Sequence, residues 1–189
     1  MLKNQAKYQI RISKLEEENE RLRRELDFLR AHPAISQGMR GELLIIKNFN
    51  GAATSYTASH DFITETGIKV EIKYSKLNQP NKRSPTKRWN WGKPLGWLDK
   101  GKDYDFLLLI GEKDHRYAVD FLDKSPYVYF LLPIVAVPEV MSKGVSVGGM
   151  IQITTNLPKL RQKKFPPQLL KFQSAFESLK DLLGSASST

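Results

Sequence analysis

Two carboxylates and a lysine come close together between residues 61 and 73: Asp61, then, ten residues on, Glu71 in the run Val70-Glu71-Ile72-Lys73. Paired carboxylates of this kind bind a hard divalent cation through oxygen, and Mg²⁺ held this way keeps waters and is shared with phosphate groups. A lysine on the same face could orient a water or steady a developing negative charge. Together they suit hydrolysis of a phosphodiester, which needs a water in line with the leaving oxygen and charge neutralisation on the phosphate.

A hairpin must position them. Strands are predicted over Tyr56–Thr64 and Ile68–Ser75, joined by Glu65-Thr66-Gly67, and a three-residue loop with glycine last suits the left-handed position of a bulged turn. In that register Thr64 pairs with Ile68, and Asp61 lies opposite Glu71. Phe62, Ile68, Val70 and Ile72 then share the core face, with Asp61, Glu71 and Lys73 on the other. Like charges directly opposed across strands are destabilising, and a bound cation offsets them. Two alternatives stay open. A two-residue loop at Thr66–Gly67 moves Asp61 opposite Ile72, and an exposed charged face needs no metal, with Lys69 and Lys73 simply flanking Glu71.

Upstream, a helix is predicted from a Ser36 cap to about Asn48, with Met39, Leu43 and Ile46 on its inner face. Glu42 borders that stripe, either as a solvated edge residue or pointing into a site. Competing chemistry is poorer. His32, His60 and His115 are scattered without helix-spaced metal partners, which disfavours zinc, and His60 is expected on the core side opposite Ile72. Asp103, Asp105, Asp114 and Asp120 each have a surface explanation. No P-loop motif is present. The absence of cysteine excludes disulfides, thiolate metal sites and cysteine nucleophiles.

Downstream, residues 76–102 carry eight basic side chains (Lys76, Lys82, Arg83, Lys87, Arg88, Lys93, Lys100, Lys102) against Asp99, most of the chain's net +10. Such a surplus favours a polyanion. Pro80, Pro85 and Pro94 rule out one amphipathic membrane helix, so nucleic acid is the better partner. Lys82, Arg83, Lys87 and Arg88 can neutralise phosphates, and Lys76 and Lys93 are expected to join them against DNA. Asn78, Gln79, Asn81, Arg88 and Asn90 can read base edges. Trp89, Trp91 and Trp97 can stack on or wedge between bases; the alternative, that a tryptophan anchors the loop in the core, is expected for Trp97 and stays open for one other.

The first thirty residues have coiled-coil spacing. Ile12, Asn19 and Leu26 fall at a, and Leu15, Leu22 and Leu29 at d. In a parallel pair Arg11 faces Glu16, Glu18 faces Arg23 and Glu25 faces Arg30, which predicts a homodimer in fixed register. The alternative is an amphipathic helix packed on its own domain. Ala31–Ile35 reads as a hinge around Pro33. Further strands are predicted at Asp105–Ile110, Tyr117–Leu122, Tyr129–Val137 and Met150–Thr155, the last closing the sheet, and a final helix at Phe165–Leu183. This order gives a mixed α/β (α+β) domain over 36–183 behind a dimerisation helix at 1–31, with a basic insertion at 76–102 and a polar tail at 184–189. The chain is 40% hydrophobic and 26% charged, an ordinary globular balance. No apolar run approaches a membrane span and the N-terminus lacks a signal-peptide core, so a cytoplasmic protein without membrane contact is expected.

Ser59-His60-Asp61-Phe62, then Val70-Glu71-Ile72-Lys73, with Gly41-Glu42 on a preceding helix, resembles the PD-(D/E)XK nuclease superfamily across roughly Ser36–Leu122. His60 stands where that family often has proline. The resemblance implies a restriction-endonuclease-like core of a mixed sheet flanked by helices. It implies Mg²⁺, one or two ions with Mn²⁺ able to substitute, on Asp61, Glu71 and the Ile72 carbonyl. Lys73 would activate the water, and Glu42 matches the acid often found on the first core helix. With the coiled coil, the expectation is a homodimeric type II restriction endonuclease cutting double-stranded DNA. A structure-selective nuclease such as a Holliday-junction resolvase is the runner-up, and a non-catalytic coiled-coil DNA-binding protein the alternative of another class.

Overall fold

The computed structural model of the chain describes residues 2–55, 57–97, 100–120, 122–142, 149–157 and 167–184. The chain divides into two compact units, Met1–Gln37 and Gly38–Thr189. The first is dominated by helix α1 (Leu2–Ala31). Four of its heptad residues, Ile12, Leu15, Leu22 and Leu26, are exposed. The Leu29 side chain lies outside the described residues, as do Tyr56, the start of the expected final helix at Phe165 and most of the polar tail. The expected hinge is shorter than the sequence suggests. Only His32 interrupts the helix, and α2 (Pro33–Asn48) begins at the next residue. Ser36 is therefore no cap, since its N–H already donates to the His32 carbonyl at 2.9 Å.

In the second unit a six-stranded mixed sheet runs in the order β1-β2-β3-β7-β8-β10. Its strands are β1 (Gly51–Ala53), β2 (Phe62–Thr64), β3 (Lys69–Ser75), β7 (Phe106–Glu112), β8 (Tyr127–Pro133) and β10 (Gln173–Ser174). Only β3 and β7 pair in parallel. The fold is thus mixed α+β, as expected. Strand β7, Phe-Leu-Leu-Leu-Ile-Gly-Glu, is covered on both faces, which is why it reads as a continuous apolar run.

One face holds Val70, Ile72, Leu108, Ile110 and Tyr129 against Ile45 of α2, Phe49 just past its end, and Leu179 and Leu183 of the last helix, α4 (Phe176–Leu183). The other holds Leu107, Leu109 and Phe130 against Trp89 and Trp91 of β4 (Arg88–Gly92), Ile151 and Ile153 of β9 (Met150–Thr154), and the short helix α3 (Val137–Val140). Strand β9 does not close the main sheet. It pairs with β4 in a separate two-stranded ribbon, and a second small ribbon joins β5 (Gly96–Trp97) to β6 (Lys100–Gly101).

Several expectations are corrected here. His115–Asp120 is a 3₁₀ segment where a strand at Tyr117–Leu122 was predicted. Strand β8 stops at Pro133, and the chain turns helical before Val137. The final helix is divided, with a 3₁₀ turn at Pro167–Phe172 and β10 ahead of α4. The reason is topological: Leu169 enters one core and Leu179 the other, so the chain must cross the sheet edge between them. Among the described residues no helix is long and apolar enough to cross a membrane.

Candidate active site

The hairpin has the three-residue loop. The Thr64 N–H donates to the Ile68 carbonyl at 2.9 Å, and Gly67 takes the left-handed φ of +85°. The ladder Ile63↔Lys69 and Phe62↔Val70 keeps the predicted register and excludes the two-residue loop. It ends one pair before Asp61, however, so β2 is much shorter than Tyr56–Thr64. The Asp61 N–H bonds to the Val70 carbonyl at 3.1 Å, beside Phe62, a local bulge. The Asp61 carboxylate then takes the place of a backbone partner, accepting the Ile72 N–H on Oδ2 at 2.8 Å. Aspartate does this readily, because its short side chain competes with the ladder for backbone donors. His60, left outside the ladder, is half-buried beside the Ser59 hydroxyl rather than opposite Ile72 in the core.

Glu71 is fully buried and Lys73 only a quarter exposed, so the solvated-face alternative fails for both. The two Glu71 oxygens accept no well-directed hydrogen bond. Instead they face ammonium groups, Oε1 with Lys73 Nζ at 2.5 Å and Oε2 with Lys102 Nζ at 3.0 Å. Burial pushes the Glu71 carboxyl above its ordinary value, with Lys73 opposing that push and Asp61 adding to it. Glu42 is also raised, first by burial and then by Asp61. Glu71 adds to that rise, while Lys73 and Lys102 oppose it.

Gly41 holds α2 at this height. A Cβ there would lie 3.0 Å from Tyr74 Cβ and 3.2 Å from Ile72 Cγ2, so its neighbour Glu42 is carried to the rim of β3. The inner stripe is accordingly Gly41 and Ile45 of α2, continued by Phe49 just past its end, not Met39, Leu43 and Ile46, and Leu43 and Ile46 are exposed.

The donor set fits a hard divalent cation. A buried carboxylate whose oxygens lack hydrogen bonds is costly unless cations face it, and here they do. The Ile72 side chain is in the core, but its backbone serves the site. N–H and C=O of one residue leave an extended strand on the same edge, so the Ile72 carbonyl is turned toward Asp61. Asp61, Glu71 and that carbonyl could hold the ion. Among the described residues no group of three or more His, Asp or Glu side chains forms a ready cage, so waters would complete the shell.

Three of the other candidate acids are spoken for, and the Asp120 side chain lies outside the described residues. Asp103 pairs with Lys69 at 2.5 Å, Asp105 accepts the Lys69 N–H, and Arg116 holds Asp114 down at about 2.

The sequence reading missed Lys102. Its only mark there is membership of a basic run, and the turn between β6 and β7 brings it to Glu71. A divalent cation held by Glu71 would compete with Lys102 for the same carboxylate. Lys102→Ala is therefore expected to bind Mn²⁺ roughly fivefold more tightly than the wild type in the absence of DNA, about 1 kcal/mol of released repulsion. Calorimetric titration checks this, and equal or weaker binding would contradict it.

Glu42 gives a pH-dependent expectation. A carboxyl whose folded pKa is raised contributes stability that is present in full below its unfolded value of 4.5 and lost as pH rises through the folded value. In metal-free buffer at pH 7.5, Glu42→Gln should raise Tm by roughly 2 °C, and the gain should vanish below about pH 4. Scanning calorimetry across that range decides it.

The described part of the basic segment is largely built into the fold. Trp89 and Trp91 are buried core residues and do not stack on bases. Asn78 and Gln79 spend their amides on Lys76 and Ser84 carbonyls, at 3.0 and 2.9 Å, and hold the loop. Lys82 and Arg83 are exposed, Lys76, Lys87, Arg88, Asn90 and Lys93 half-buried, and the Trp97 side chain lies outside the described residues. No family model matches the chain, and no curated protein matches it either.

Proposed function

We propose that this chain is a Mg²⁺-dependent DNA endonuclease of the PD-(D/E)XK kind, acting as a homodimeric type II restriction-like enzyme on double-stranded DNA. The observation that carries the reading is the fully buried Glu71 carboxylate, faced by two ammoniums and standing beside an Asp61 bound to the Ile72 N–H. Such an arrangement is expensive for folding alone, and phosphodiester hydrolysis gives it a use. When bound, the ion supplies positive charge to the scissile phosphate and lowers the pKa of water. Lys73 orients the attacking water and stabilises charge on the phosphate oxygens. Lys102 adds a second ammonium, and Glu42 restrains the position of the water and ion from the helix side. Lys82 and Arg83 offer exposed charge to the backbone of the duplex.

Supercoiled plasmid and linear duplex DNA incubated with the full chain, with Mg²⁺ or with EDTA, test the proposal. Discrete fragments that need Mg²⁺ are expected. A metal-dependent smear would keep the hydrolase and remove site specificity. Cleavage confined to four-way junctions would favour a resolvase. Binding to DNA without cleavage of any substrate would overturn the enzyme reading in favour of a DNA-binding protein.

A further inference from the structure

The β4–β9 ribbon has two unlike faces. Trp89↔Ile153 and Trp91↔Ile151 are buried against the sheet, while the alternate pairs Arg88↔Thr154 and Asn90↔Gln152 point away from it. The outward side chains are already joined to one another. Arg88 Nη1 donates to Gln152 Oε1 at 2.8 Å, and Gln152 Nε2 donates to Asn90 Oδ1 at 2.7 Å. Between this row and the preceding loop lies a cleft of about 360 Å³, whose lining includes Asn81, Ser84 and Thr86.

Fixing three long polar side chains in a row at the surface costs rotamer entropy. The fixed row resembles what a base-reading surface needs. Arginine matches guanine N7 and O6, and asparagine and glutamine match adenine N6 and N7. The bond to Gln152 uses one of the five guanidinium N–H donors, leaving others for a base. The surroundings are complementary to a polyanion, since Lys82 and Arg83 are exposed and no acid occurs between Lys76 and Leu98.

The ribbon is also stiff. Trp89 Nε1 donates to the Glu112 carbonyl at 2.9 Å and Trp91 Nε1 to the Ile110 carbonyl at 3.1 Å. Gly111 makes this possible, because a Cβ there would meet the Trp89 ring at 2.6 Å. At its edge the Asn90 N–H donates to Ser75 Oγ at 2.9 Å. Ser75 lies two residues beyond Lys73 on the same strand, about 7 Å along it.

We infer that the outward face of the β4–β9 ribbon is a sequence-reading element that enters the major groove of B-form DNA, with Arg88, Asn90 and Gln152 on base edges. Two strands about 5 Å apart fit a groove about 12 Å wide. The A-form groove of duplex RNA is too deep and narrow for it. Through Ser75, reading of a base is coupled mechanically to the strand that carries Glu71 and Lys73. The inference rests on the nucleic-acid part of the proposed function and not on hydrolysis.

The test is selection of bound duplexes from a random-sequence DNA pool by the full chain in EDTA, where metal-dependent cutting is blocked. The wild type should enrich a short motif. Gln152→Ala and Arg88→Lys should each lose preference at particular base pairs by about 5–150-fold, while affinity for unselected duplex changes less than about threefold. Arg88→Lys keeps the charge and loses the fork, so a merely electrostatic role would leave the motif intact. Both side chains point outward, and unchanged melting temperatures establish that the variants fold. No motif with the wild type, the same motif with both variants, or equal competition by duplex RNA would overturn the inference. Mg²⁺-dependent plasmid cleavage alongside any of these would leave the hydrolase standing. A motif lost in the variants without cleavage by the wild type would do the reverse.

Discussion

Lys73→Ala should lower Mg²⁺-dependent cleavage of duplex DNA by about 10³-fold or more, with DNA affinity in EDTA within about threefold of wild type. The size follows from the role. Removing a single positioned charge or proton-transfer group from a site where charge develops costs on the order of 10²–10⁴ in rate. Lys73 belongs at the upper part of that range because its ammonium is held in a three-quarters buried position, 2.5 Å from Glu71, where solvent water is a poor substitute. Binding is spared because phosphate contacts are spread over many cations, and each contributes a fraction of the total. Asp61→Ala should lose as much activity for a second reason: it also frees the Ile72 N–H that the carboxylate holds. The two changes therefore separate a catalytic group from a merely charged one. Gel-based initial rates with Mg²⁺, beside fluorescence anisotropy in EDTA, measure both quantities. Unchanged cleavage in Lys73→Ala would remove the water-positioning role, and a parallel loss of binding would make Lys73 a phosphate contact only.

Much of this site could be read from local sequence because its geometry is local. The loop Glu65-Thr66-Gly67 sets the register, and the alternation Val70-Glu71-Ile72-Lys73 then decides which side chains share a face. What failed was the length of β2, since a pattern of residue types does not reveal that the Asp61 side chain will replace a backbone partner at Ile72. The inner face of α2 was misread for a related reason. It approaches the sheet closely at Gly41, which carries no hydrophobic label, so the apolar residues beside it, Leu43 and Ile46, read as the core.

The tryptophans had a signal that was overlooked. Arg88-Trp89-Asn90-Trp91 and Met150-Ile151-Gln152-Ile153 both alternate with period two, the mark of a half-buried strand, and together they give the ribbon with its apolar and polar faces. A segment rich in charge and proline masked that period. Lys102 had no such signal. Its place opposite Glu71 depends on β7 running parallel to β3, a long-range pairing that no local spacing encodes.

The second large effect concerns the N-terminal helix. Leu15→Asp combined with Leu22→Asp should convert a dimer into a monomer at micromolar concentration, weakening association by at least about 10³-fold. In α1 these two residues are about half exposed, as are Ile12 and, to a lesser degree, Leu26, although all recur at heptad spacing. A regular apolar seam left open to water favours burial against a second copy. Burying a leucine contributes roughly 1.5–3 kcal/mol, and the double variant removes four leucines from a two-fold assembly, ample for the stated change.

In such a dimer the flanking charges would choose the orientation. Glu18 and Glu25 lie near Arg21 of their own helix at 3.6 and 4.0 Å, but these pairs are highly exposed and weak, so they do not hold the acids back from Arg23 and Arg30 of a second copy. Asn19 within the seam would then fix a parallel register. Sedimentation equilibrium of the full chain and the double variant measures the change, and a variant still dimeric at micromolar concentration would place the principal interface elsewhere. Function should follow assembly. Two sites related by a two-fold axis can cut both strands of a palindrome in one encounter. The monomeric variant, with Asp61, Glu71 and Lys73 untouched, should accumulate nicked circles from supercoiled plasmid where the wild type yields linear DNA.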